Sequence, residues 1–429
     1  MTAQPENVEL FHQQLEQRSN LSEVALSLNG HQHKVLLPSS GELESEDELY
    51  LLQRASTLRW MMGPGVMSVE GHSEAQKVLN EAYSENGLLG FESKLFADLT
   101  VPEPPGDIPA GDGVCHLFID IGGSSIKGAF FSNRQLSRQL SKAWEPFRYT
   151  EMAELLTQLE VFLTELRGDR TAESMSHVAI SCAGLCQGGA LLASTLTQGM
   201  SFDDGDDYDP WFLKKLMQRQ FPEASFRLLN DGEVTALPHR EQAPFGERCV
   251  ISLVMGSNLG GGYYSMPRMD AVHEIGFMPF LLGSELRDTW SGYEGIASEV
   301  FSKKGLLWIA EENGYVVSEG VSERDVIDRL HTDLKHGLVK ARIVFQKLGQ
   351  LLAPFVAYLQ RYYPIDEVLL SGGILTSNVV DEMRAPYHSI FSDLGCGEAP
   401  PLRMLVVPGV LPEYNQVWSL ALNHFAENS

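Results

Sequence analysis

The chain has 429 residues, 43% of them hydrophobic, and a formal net charge of -25. That length allows two or three domains with a sizeable core. The acidity, with no Lys/Arg cluster anywhere, argues against nucleic acid as a partner, and no run of about 18 or more apolar residues suggests a membrane span.

The N-terminus, "MTAQPENVELFHQQLEQ", lacks the basic and apolar regions of a signal peptide. Five cysteines, Cys115, Cys182, Cys186, Cys249 and Cys396, are an odd number and read as reduced thiols of a cytoplasmic protein. Cys182 and Cys186 are spaced as a metal pair could be. No second pair or His-x-x-x-His stands near them, so buried or loop thiols are the preferred reading over zinc.

Residues 1–110 read as an N-terminal extension. "ELFHQQLEQ" has the spacing of a short amphipathic helix. "EVALSLNGHQHKVLLP" reads as two strands joined at Asn29-Gly30. "SEDELYLLQRASTLRWMM" reads as a helix capped by Ser45. "VPEPPGDIPAGDG", residues 101–113, is Pro- and Gly-rich and reads as a connector.

From residue 114 the pattern is α/β. "VCHLFIDI" and "IKGAFFS" are strands, "EMAELLTQLEVFLTELRG" a helix and "HVAISCAG" a strand. "YDPWFLKKLMQRQFP" is a helix with Pro210 near its first turn. "SFRLLNDGEVTAL" is a strand running into a helix, and "ERCVISLVMGSNLGGGYYS" is strand, glycine loop, strand. "VKARIVFQKLGQLLAPFVAYLQRYYP" is a long helix expected to bend near Pro354. "IDEVLLSGGIL" is a strand and glycine turn. Such alternation means parallel sheets covered by helices, which bind ligands at their strand ends.

Three glycine sites follow apolar strands: Gly122-Gly123 with Ser124 and Ser125; Gly256, Ser257, Asn258, Gly260 and Gly261 in "MGSNLGGG"; and Gly372-Gly373. None matches the P-loop or the dinucleotide fingerprint. A tight turn without Cβ atoms still exposes successive N–H groups to an anion, and serine hydroxyls add donors. A plain hairpin turn is the alternative for any one site; the series at strand ends favours phosphate. Asp120, an acceptor-only carboxylate before the first turn, suits a hydrated Mg²⁺, directly or through water, with a turn cap as the alternative.

This ordered series resembles the ROK (repressor, open reading frame, kinase) sugar kinases of the superfamily that also holds actin, hexokinase and the heat-shock ATPases. "FIDIGGSSIKGA" and "LVMGSNLGGGYY" are similar to its two phosphate motifs, "LLNDGEVTAL" to its catalytic Asn-Asp motif and "EVLLSGGIL" to its adenosine motif. "VAISCAGL" resembles the strand before its sugar loop, with Ala183 for Pro; "HEIGFMPF" and "GYEGIASEVF" resemble its two sugar-contacting segments. The resemblance covers about residues 114–425. The region before it is closer to hexokinase proper.

The resemblance implies a two-lobed actin-like ATPase fold, ribonuclease H-like, with an added N-terminal segment. Its lobes would be residues 111–240 and 241–429, with a cleft between them. It implies ATP and Mg²⁺ as cofactors and Asp231 as the base that takes a proton from a sugar hydroxyl. It places Asn230, Gly184, Thr197, Glu274 and Glu294 around the sugar, and the glycine sites on the nucleotide. Alone, Asn-Asp-Gly also reads as a turn, and Glu294 as a solvated glutamate.

Two departures stand out. The family's histidine after Glu-Ile-Gly is Phe277 here, and no cysteine lies between Met278 and Glu294, where many members hold zinc. No zinc is therefore expected.

Lys127 reads as an exposed strand lysine, Glu233 as structural, and "DDGDDYD" at 203–209 as a solvated loop beside which Trp211 offers a stacking face. The expected activity is ATP-dependent phosphorylation of a hexose or hexose-like sugar. The rivals are a non-catalytic ROK-like regulator and an actin-type ATPase with a protein partner. Residues 1–110 are acidic and include strands, which argues against a DNA-binding domain. A homodimer is left open.

Overall fold

The computed structural model describes residues 6–39, 43–84, 86–97, 115–168, 175–197, 199–200, 208–237, 248–265, 271–282, 284–315, 321–406, 410–411 and 414–427. The expected connector at 101–113 lies outside them, as does the acidic stretch except for Tyr208 and Asp209. By their contacts the residues form two compact units, Met1–Asp98 with Arg248–Leu405, and Leu99–Glu247 with Val406–Ser429. The chain therefore does not divide in sequence order: the N-terminal layer groups with the later sheet, and the last helix returns to the earlier one.

The unit built around residues 115–237 holds a five-stranded sheet in the order Ser225–Asn230, Met175–Cys182, Cys115–Ile121, Ser125–Ser132, Gln135–Ala143. The first three strands are parallel and the last two continue antiparallel. The edge strand Gln135–Ala143 was not legible, because it is polar and exposed along most of its length.

Alternation along Cys115–Ile121 sends Leu117, Ile119 and Ile121 to one face of the sheet. There they pack with Phe162 and Leu166 of helix Met152–Arg167 and Phe212 of helix Phe212–Gln220. Phe118 points to the other face, where it joins Phe131, Val417 and Leu420. Asp120 shares that face by the same alternation, beneath the C-terminal helix Asn415–Glu427. Trp211 is 3% exposed, so it packs in the core and offers no stacking face.

The other unit holds the sheet Leu259–Tyr264, Val250–Met255, Glu367–Ser371, Leu402–Met404, again a hairpin followed by parallel strands. Its central helix, Val339–Leu359, continues unbroken through Pro354 and is buried along most of its length.

The N-terminal layer is welded to this unit. Asn29 and Gly30, with φ 53° and 78°, turn the hairpin of Leu21–Leu28 and His31–Pro38. Glu6–Asn7 adds a short strand to Leu281–Leu282. The Arg361 guanidinium forks onto Glu9 at 2.6 and 2.9 Å and onto Glu16 at 2.8 and 2.9 Å. Helix Ser45–Met62 starts after Glu44, not Ser45: Glu44 is the N-cap, and its N–H donates to Asp47 Oδ2 at 3.2 Å. Among the described residues no helix is long and apolar enough to cross a membrane, and all five cysteines are free.

The seat of the C-terminal helix has a pH dependence. His424 stacks on His177 with centroids 3.9 Å apart and planes at 8°, and His116 lies 5.0 Å from His424. Burial, with the charges of His424, His116 and Arg227, pushes His177 down to about 3. Burial and Arg134 push His116 down as well.

An unfolded imidazole titrates near 6.5. The stack therefore stabilises fully above that pH and loses its contribution as pH falls toward 3. Trp418, 5.3 Å from Phe131, reports on the same helix. His424→Phe should move the acid transition of its emission to lower pH; an unmoved transition contradicts this account of the seat.

Candidate active site

Sequence dictates where the first polar group sits. Antiparallel pairing sets Asp120 opposite Lys127, and parallel pairing sets it opposite Ser181. Lys127 Nζ donates to Asp120 Oδ2 at 2.9 Å and Ser181 Oγ to Oδ1 at 3.1 Å. Gln416, with its nitrogen turned to face the acceptors, donates to both oxygens at 2.6 and 2.8 Å. Lys127 is thus not an exposed strand lysine; its side chain is 18% exposed and neutralises a carboxylate that is 2% exposed.

Two residues on, the chain turns through Gly122–Ser124. Gly122 N–H donates to Ser125 O at 3.0 Å, and Trp144 Nε1 donates to Gly122 O at 2.7 Å. These bonds brace the turn, while Gly123 and Ser124 stay exposed and Ser125 is half-buried. A Cβ on Gly123 would meet nothing within 4 Å. That is the open approach an anion needs.

Asp231 begins helix Asp231–Ala236, directly after the strand Ser225–Asn230. Asn230 is its N-cap: Oδ1 accepts from Gly232 N–H at 2.8 Å, and Nδ2 donates to Gly184 O at 2.8 Å. Gly184 has a φ of 145° at the end of the neighbouring strand. Thr197 is buried, with its hydroxyl donating to Ser194 O at 3.0 Å. Burial and the charge of Asp120 push the Asp231 carboxyl up to about 7, against the Gly232 N–H and the Lys127 ammonium. Glu233 is half-buried.

In the other unit, the hairpin turn Gly256-Ser257-Asn258 exposes Ser257 and Asn258. It is held by Gly256 N–H on Asn258 O at 3.0 Å and by Leu259 N–H on Ser298 Oγ at 3.0 Å. Gly260 is half-buried on the returning strand. Gly261 is a packing glycine, since a Cβ there would lie 2.6 Å from Ile275 Cβ. Gly372 has a φ of 110° and would carry its Cβ 2.1 Å from Met255 O, while Gly373 is exposed to open space.

Sequence reasoning missed what supports Glu274. The last turn of helix Ser45–Met62 accepts from Val272 and His273 N–H on Met61 O, at 2.9 and 3.0 Å, and from Glu274 N–H on Trp60 O at 2.9 Å. Phe277, at the family's histidine position, stacks on Trp60 with centroids 4.6 Å apart. Glu274 is half-buried. Glu294 is exposed and pairs with Arg287 at 2.6 Å.

Whether Mg²⁺ suits Asp120 follows from its donor set. Both oxygens already accept from Lys127, Ser181 and Gln416. Among the described residues no three His, Cys, Asp or Glu side chains gather to hold an ion. The arrangement fits a hydrated ion reached through water, not a directly ligated one.

The overall fold is shared with known structures. A ROK family protein from Streptococcus pneumoniae, solved in complex with sucrose, superposes with a TM-score of 0.52. The match has 15% identity and spans 73% of this chain and 99% of that one. The ROK hexokinase from Thermus thermophilus gives 0.51 at 16% identity, with 73% and 99% covered. The chain has the ROK fold. No protein-family model matches it, and no curated protein does. At this identity the likeness speaks for the ROK fold, a two-lobed actin-like α/β architecture, and the site rests on its own geometry.

That geometry separates two kinds of glycine. Gly372→Ala, forced to a positive φ against Met255 O, should cost about 1–3 kcal/mol or more and lower the melting midpoint. Gly373→Ala should leave the midpoint near wild type. Equal effects on melting would contradict the assignment.

Proposed function

We propose that the protein is an ATP-dependent kinase acting on a hydroxyl of a hexose or hexose-like sugar. The observation that carries this reading is Asp231, a carboxyl with proton affinity raised to about 7, set at the same end of the sheet as an open Gly-Ser turn. A base poised near the working pH can take a proton from an alcohol as its oxygen attacks phosphorus.

In this reading the sugar hydroxyl donates its proton to Asp231. Asn230 keeps that carboxylate at the strand end by capping its helix and tying it to Gly184 O. Glu274, supported from below by Trp60, and Glu294 accept from other sugar hydroxyls, fixing the acceptor and lowering the entropic part of the barrier. Thr197, its hydroxyl turned back to Ser194 O, shapes the loop that follows strand Ala190–Ala193.

The open turn residues Gly123, Ser124, Ser125, Ser257 and Asn258 serve the phosphates, while Gly122 and Gly256, whose N–H groups close their turns, and Gly260 and Gly261 on the returning strand shape the loops. Gly372 and Gly373 serve the adenosine side. Mg²⁺, when bound, would neutralise phosphate charge, with Asp120 holding it through water. The free thiols are in keeping with a cytoplasmic enzyme.

Purified protein should release ADP only when the right member of a panel of hexoses, hexosamines and their derivatives is present. Its kcat should fall below about pH 7 as Asp231 protonates. Asp231→Asn should lower turnover by about a thousandfold or more, with nucleotide binding by calorimetry largely spared. Sugar-independent ATP turnover stimulated by peptide, or a DNA gel shift with no turnover, would replace this reading by one of its rivals.

A further inference from the structure

The C-terminal helix carries a side chain to Asp120. Asn415–Glu427 belongs to the unit of residues 99–247, although the intervening chain builds the other unit. Val417 and Leu420 bury against Phe118 and Phe131, so the helix is seated on the very strand that carries Asp120. His424 stacks on His177 farther along.

With both of these contacts made, Gln416 in the first turn reaches Asp120. It donates to both carboxylate oxygens at 2.6 and 2.8 Å. In that orientation the amide oxygen faces the backbone carbonyl oxygen of Asp231 at 3.4 Å, two acceptors that make no hydrogen bond to each other.

We propose that Gln416 is a positioning residue for phosphoryl transfer, locking the Asp120 carboxylate in one orientation. The inference rests on the kinase reading. Its chemistry is simple: a buried carboxylate needs all of its lone pairs satisfied, and a rigid primary amide spanning both oxygens removes its freedom to rotate about the Cβ–Cγ bond. Lys127 supplies charge from one side and Ser181 a single bond from another; Gln416 alone spans both oxygens. Misplacement by about 1 Å can cost on the order of a hundredfold in rate, even where binding is unchanged.

The test compares wild type with Gln416→Met, close in shape but without donors, and Gln416→Glu, which sets a second carboxylate against Asp120. Gln416→Met should lower kcat about 10- to 100-fold while the KM values for sugar and ATP stay within a few-fold of wild type. Nucleotide affinity by calorimetry and Trp418 emission should stay as in wild type. Gln416→Glu should be slower still, increasingly so as pH rises. A wild-type kcat in Gln416→Met overturns the inference. So does a loss of kcat matched by loss of the Trp418 signal, which would make Gln416 structural only. A wild-type protein without sugar-dependent turnover overturns the kinase reading itself, and the inference falls with it.

Discussion

A carboxylate and an ammonium, both drawn out of water, meet where Asp120 faces Lys127 across an antiparallel pair. Burying either charge alone costs several kcal/mol, and removing one partner of such a pair commonly costs about 3–5 kcal/mol. Register therefore cannot slip: a one-residue shift would turn Asp120 and Lys127 to opposite faces. The pair fixes the strands on either side of the Gly122–Ser124 turn, and so it fixes the turn. Its charge also reaches Asp231, where the negative Asp120 raises the proton affinity that burial has already raised and Lys127 moderates it. Fold and chemistry depend on the same contact.

The second dependence runs through the N-terminal layer. Helix Ser45–Met62 is buried on nearly all sides and finds partners within its own unit for many of the polar groups it carries. Gln53 bonds His12 at 3.0 Å, Arg54 reaches Lys34 O at 3.0 Å, and Ser56 and Trp60 both donate to the buried Glu92. Burial raises Glu92 to about 7, with the donors opposing. The helix then offers its last carbonyls to residues 272–274 and its Trp60 ring to Phe277. Glu274 is held by a layer that precedes it by some two hundred residues of chain, and Phe277 has become packing where the related pattern has a polar histidine.

Much of this was legible in the sequence, for identifiable reasons. Apolar runs ending in glycines announced the strand ends, Asn29-Gly30 announced its turn, and Asn230-Asp231 announced a helix start. The failures were also physical. Lys127 looked exposed because a lone strand lysine usually is, and only the pairing register revealed its partner. Trp211 looked available because it borders an acidic loop, yet it is buried in the core. Gln416 gave no signal, since an amide at a helix start acquires meaning only when the helix returns to a distant strand. The grouping of the N-terminal layer with residues 248–405 draws on long-range matches that no local pattern encodes, Arg361 meeting Glu9 and Glu16 among them.

The account turns on Asp231 being a carboxyl whose proton affinity is lifted by burial and by a charged Asp120. Carbon-13 NMR titration of protein labelled in its aspartate carboxyl carbons reads this directly. One resonance, absent in Asp231→Asn, should titrate near pH 7, and it should move to lower pH in Asp120→Asn, where the neighbouring negative charge is gone. An Asp231 resonance titrating in the ordinary carboxylate range of about 4, unmoved by Asp120→Asn, would contradict the account.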